Sequence, residues 1–85
     1  MQIILNYYSG EIMVEVTQQS KYMDLLNAYP LLKTDLVKRN PKFKFLVTPM
    51  GKISLWEADL AQVSESVEMS VDETVSLFQD LIDSY

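Results

Sequence analysis

The chain contains no cysteine and no histidine. The first absence excludes a disulfide framework, a thiolate zinc site and a catalytic thiol; the second removes the most versatile acid-base and metal-binding side chain. Glycine occurs only twice and arginine once, and no segment is of low complexity, so the composition is not that of a disordered chain. No run approaches the roughly 18 uninterrupted apolar residues of a membrane span. The apolar beginning, MQIILNYYSGEIMVEV, lacks a basic flank, carries acids and is broken by Ser9-Gly10. These absences lead to the expectation of a cytoplasmic, non-enzymatic protein with no cofactor and no membrane partner.

Eighty-five residues, 48% of them hydrophobic, suit one domain over 1–85 with a single core. The charges within it are segregated. Met1 to Ser20 holds two acids and no base, Lys21 to Lys52 holds seven bases against Asp24 and Asp35, and Ile53 to Tyr85 holds eight acids and no base. A chain of net charge −5 thus carries a locally basic middle, and partner arguments start from that segregation.

Gln2 to Tyr8 and Ile12 to Thr17 are rich in β-branched and aromatic residues and flank Ser9-Gly10, which reads as a β-hairpin. Ile3-Ile4-Leu5 is apolar on both faces, so this strand either packs beneath helices or pairs with a second copy as a homodimer contact. From Gln18 to Tyr29 the period becomes helical, with Tyr22, Leu25, Leu26 and Tyr29 on one face and Thr17 or Ser20 as the cap. Pro30 ends this helix and suits the first turn of a second, running to about Lys38 and burying Leu32 and Leu36.

Asn40-Pro41 predicts a single helical turn through Lys42 to Lys44, after which Thr48-Pro49 and Gly51 break the chain again. Two capping boxes follow, Ser54 with Glu57 and Ser70 with Glu73, each opening a helix. Their apolar stripes are Trp56, Leu60, Val63 and Val67, then Val71, Val75, Phe78 and Ile82, and they suit an antiparallel pair turning at Glu68-Met69. The expected fold is mainly α: a compact bundle of four to five short helices with an N-terminal β-strand or β-hairpin over residues 1–17.

Acids in first turns favour the helix dipole, and the other C-terminal acids read as a solvated face, so no metal site is implied. The basic, proline-punctuated connector is different. Lys38, Arg39, Asn40, Lys42, Phe43, Lys44, Phe45, Met50 and Lys52 interleave cations with rings, and they form the candidate binding residues. A single arginine and the negative net charge argue against nucleic acid, since bidentate base reading needs guanidinium groups. An acidic protein partner or self-association fits better.

The segments MDLLNAYPLLKTDLVKRNPKFKFL, TPMGKISLWEADLAQVSE and MSVDETVSLFQDLI are, in that order, similar to the small helical domain of unknown function related to the ScdA N-terminal domain and to hybrid-cluster-associated proteins. The resemblance spans about Met13 to Ile82 and rests on a helix ending in Tyr-Pro, an Asn-Pro connector, a Ser-Leu-x-x-Ala step and a capped last helix. It implies a helical fold with no established catalysis and one short strand before the first helix. Some relatives carry a cysteine pair in the connector; Phe43 to Met50 has none, so a redox role does not carry over. Two functions follow as expectations: an interaction or regulatory module recognising its partner through the connector, or a small-molecule-binding or redox-associated accessory domain that has lost the cysteine pair and uses a pocket beneath Phe43, Phe45 and Trp56.

Overall fold

The computed structural model describes residues 15–85. The expected hairpin, and with it the Ile3 to Leu5 dimer strand, lies outside those residues apart from Glu15, Val16 and Thr17, which join no strand. Among the described residues the protein is helical: α1 (Tyr22–Ala28), α2 (Leu32–Arg39), a 3₁₀ turn (Pro41–Phe43), α3 (Pro49–Ser54), α4 (Leu60–Ser66) and α5 (Val71–Asp83).

Polar residues ahead of α1 do a different task from the capping expected of them. Thr17 to Ser20 close a turn, in which the Ser20 amide donates to the Thr17 carbonyl at 3.0 Å. The Ser20 and Gln18 carbonyls then accept the Leu60 and Ala61 amides at 3.0 and 3.1 Å, satisfying donors that α4 cannot pair within itself. Helix α1 therefore begins at Tyr22, whose own amide donates to the Ala58 carbonyl at 3.0 Å. Pro30 stops α1, and α2 places Leu32 and Leu36 fully inside, as their spacing of four dictates. Lys38 and Arg39 occupy its last turn, where cations favour the helix dipole.

Asn40 ends α2 and starts the 3₁₀ turn. Its Oδ1 accepts the Lys42 amide at 3.0 Å, and Pro41 follows at the first position, where a missing N–H costs nothing. The turn delivers Phe43 into the core. There Phe78 of α5 takes Phe43 edge-on at 5.9 Å and Tyr22 edge-on at 6.2 Å, the T-shaped arrangement that ring quadrupoles prefer. The Tyr22 hydroxyl donates to the Leu46 carbonyl at 2.9 Å, and burial pushes its pKa above the ordinary tyrosine range.

Helix α5 opens with the Ser70 and Glu73 capping box read from the sequence, each side chain bonded to the other residue's amide, at 3.0 and 3.1 Å. It packs on α4 and α2, burying Thr74, Leu77, Phe78, Leu81 and Ile82 and leaving Val71 and Val75 half-buried. The turn between α4 and α5 is a Schellman motif: the Glu68 amide donates to the Glu65 carbonyl and the Met69 amide to that of Ser64, with Glu68 at a positive φ of 58°.

The helix expected to start at Ser54 requires correction. Thr48 caps an earlier one, its Oγ1 accepting the Gly51 amide at 3.1 Å with Pro49 at the first position, so that Ser54 becomes the last residue of α3. The next helix opens instead at Asp59, through a reciprocal box with Gln62 in which both hydrogen bonds are 3.0 Å long. Physically, Thr48-Pro49 offers a cap and a preset φ together, and a segment already helical through Ser54 cannot also start there. Trp56 consequently leaves the apolar stripe and lies in the turn between α3 and α4, 67% exposed, while Leu60, Val63 and Val67 are sealed as expected.

Candidate protein-binding surface

Helix α3 is held against the chain before it rather than embedded among the other helices. A β-carbon at Gly51 would press on the Phe45 carbonyl and lie 2.8 Å from the Leu46 Cα, so glycine here permits close backbone approach. Ile53 is two residues on, about 200° around the helix, and faces away from that contact. Met50 and Ile53, three apart, share the outer face, and the Trp56 amide donates to the Ile53 carbonyl at 3.2 Å to continue the same side of the chain. The exposures of Phe45, Met50 and Ile53 are 57%, 66% and 68%. Leu55 and Ala58 on either side of Trp56 are buried, so the indole is displayed from a turn that is fixed at both ends.

Cations border these side chains. Lys44 is exposed, and the interaction with the neighbouring cation Lys33 of α2 holds Lys52 of α3 below the ordinary lysine range. Two like charges placed together in this way favour an anionic neighbour. Lys42 already has one, Glu68 at 2.8 Å, and it holds that carboxyl below its ordinary range. Lys21 donates to the Glu57 carbonyl at 3.1 Å.

The structure thus divides the candidate binding residues. Lys44, Phe45, Met50 and Lys52 are grouped around α3, and Lys38 and Arg39 are exposed at the end of α2. Asn40 is occupied in capping and in an Nδ2 contact to the Met69 sulfur at 3.3 Å, and Phe43 is sealed in the core. Phe43 inside and Phe45 and Trp56 outside do not close over a shared pocket, which corrects that expectation. Sequence reasoning missed Ile53, assigned Trp56 to a buried stripe or pocket, and left Lys33 out of the candidate binding residues. The signal was present in Thr48-Pro49, which matches Asn40-Pro41 in kind and marks a helix start whose outer face carries Met50 and Ile53.

Among the described residues no group of three or more acidic, histidine or cysteine side chains is placed to hold a metal ion, and no helix is long and apolar enough to cross a membrane. No family model, curated protein or solved structure matches the chain.

Proposed function

We propose that the protein is a non-catalytic interaction module whose recognition surface is the connector and α3, centred on Phe45, Met50, Ile53 and Trp56 and bordered by Lys33, Lys44 and Lys52. One observation carries this reading: four large apolar side chains are exposed within a single twelve-residue stretch of a chain that buries Tyr22, Phe43 and Phe78 completely. Grouped exposed apolar residues rimmed by polar ones mark contact sites, with aromatic side chains as the usual anchors. The lysines select an acidic partner and repel a basic one. The accessory small-molecule reading has less support, because its three aromatic residues do not converge.

The test compares partners retained from cell lysate by the wild-type protein with those retained by the Phe45→Ser/Ile53→Ser variant and by Lys44→Glu/Lys52→Glu. All four positions are outside the fully buried core, so the fold survives. The expected outcome is one stoichiometric partner lost from the apolar variant and weakened in the charge variant. Identical retention by all three proteins would refute the surface.

A further inference from the structure

We propose that the partner of this surface is a second copy of the same chain: Ile53 and Trp56 of one copy seat in a groove beside α5 of the next. The inference rests on the recognition surface proposed above and names its occupant.

A groove of about 500 Å³ is lined by Thr17, Gln18, Val71, Asp72, Val75 and Ser76. Its volume is within the range of about 300 to 1,000 Å³ typical of small-molecule pockets, which leaves room for an indole. Val71 and Val75 are half-buried, so each retains apolar surface to offer, while Asp72 and Ser76 are exposed. The cap at Ser70 uses Glu73, and Asp72 remains exposed at the rim. The groove therefore supplies an apolar floor with an acidic edge, the complement of an apolar projection with a basic edge.

Charge decides between the ways in which two copies can meet. An α3 against an α3 places Lys33 and Lys52 opposite themselves, and a groove against a groove places Asp72 opposite Asp72. Both arrangements add repulsion between like charges. Only α3 against the groove sets the lysines bordering α3 in one copy, Lys33, Lys44 and Lys52, against Asp72 of the other. The backbone that carries the indole is preorganised, because Leu55 and Ala58 are buried on either side of it and little backbone freedom remains to be lost on docking. Each copy carries one projection and one groove, and such contacts propagate or close according to the rotation between copies.

Trp56 is the only tryptophan in the chain, so its emission reports its own burial. Trp56→Ser removes the projection and the fluorophore together. Ser76→Arg fills the groove from an exposed position on α5 and leaves Trp56 in place. Wild-type protein is expected to gain mass in sedimentation and to shift its emission to shorter wavelength as concentration rises, while each variant alone stays monomeric. Mixed, the two variants are expected to form a complex through one intact projection and one intact groove, and the Ser76→Arg emission shifts as Trp56→Ser is titrated in.

The proposal is overturned if the mixture shows neither complex nor shift, or if association persists in each variant alone, as a dimer through the N-terminal strand predicts. It is overturned equally if the wild-type emission moves only with phosphatidylserine vesicles and not with concentration. A wild-type monomer that still retains a foreign acidic protein through Phe45 and Ile53 also overturns self-docking, while leaving the recognition surface standing.

Discussion

Phe43 and Phe45 are two residues apart, flank the same lysine and end in opposite environments. Phe43 is fully buried between α2 and α5, and Phe45 is 57% exposed beside α3. Residue type does not separate them. Asn40 and Pro41 close a 3₁₀ turn that points position 43 inward, and the chain then curls through Thr48, whose hydroxyl donates to the Phe45 carbonyl at 2.6 Å. Backbone geometry set by short caps, rather than hydrophobicity, decides which ring joins the core and which remains available to a partner.

Truncating the two rings is the strongest way to break this contrast. Phe43→Ala is expected to cost about 3 to 5 kcal/mol, since it removes a sealed ring and leaves a cavity against Phe78. Phe45→Ala and Trp56→Ala are expected to stay within about 0.5 kcal/mol of wild type, as surface truncations do. Denaturant unfolding monitored by circular dichroism measures all three. Comparable losses at 43 and 45 would mean that the two rings share one environment.

Tyr22 sharpens the inner side of the comparison. Its hydroxyl is sealed in the core and satisfies the carbonyl of Leu46, one residue beyond Phe45. Tyr22→Phe is expected to cost about 1 to 2 kcal/mol by leaving that carbonyl without its donor. The pH dependence has a definite sign. Burial raises the folded-state pKa of Tyr22, so its contribution is complete below the ordinary tyrosine value of 10.0. Above that pH the unfolded chain releases the proton first and stability falls. Tyr85, pushed up to about 12 by burial and by its hydrogen bond to Asp35, acts in the same direction. Stability measured from neutral to alkaline pH should therefore decline less steeply in Tyr22→Phe than in wild type without becoming flat.

Much of this arrangement is legible in the sequence where local signals agree. Asn40-Pro41, Tyr29-Pro30 and the Ser70 and Glu73 box each combine a capping side chain or a proline with an apolar period, and α1, α2, α5 and the turn at Phe43 follow from them. The reading fails over 48–60, where Thr48, Ser54 and Asp59 all have cap chemistry and three starts compete within thirteen residues. Periodicity favours Ser54, because only that start brings Trp56 into line with Leu60, Val63 and Val67. The Thr48-Pro49 cap takes Ser54 into the end of α3, and the contacts that place the next start at Asp59 are non-local: the Ser20 and Gln18 carbonyls meet the Leu60 and Ala61 amides, and Lys21 bridges to Asp59. Some 38 to 43 residues separate those partners, and no local pattern foretells them. The outward position of Ile53 and Trp56, and with it the surface proposed for recognition, depends on that one choice of start.

Alanine at the competing caps gives the smallest effects and the most direct test of that choice. Asp59→Ala removes the acceptor of the Gln62 amide, and Thr48→Ala removes the acceptor of the Gly51 amide, so each is expected to cost about 1 kcal/mol. Ser54 is the last residue of α3, and its hydroxyl donates to the Met50 carbonyl at 3.0 Å, a bond back into its own helix that contributes little. Ser54→Ala should therefore change stability by less than about 0.5 kcal/mol. The difference between Asp59→Ala and Ser54→Ala carries the information, because both remove one polar group from an apparent cap within the same short stretch. If Ser54→Ala proves the costlier of the two, the helix begins at Ser54 and Trp56 turns inward onto the stripe with Leu60 and Val63. The emission of Trp56 then moves to shorter wavelength in the monomer, and α3 has no indole to present to any partner.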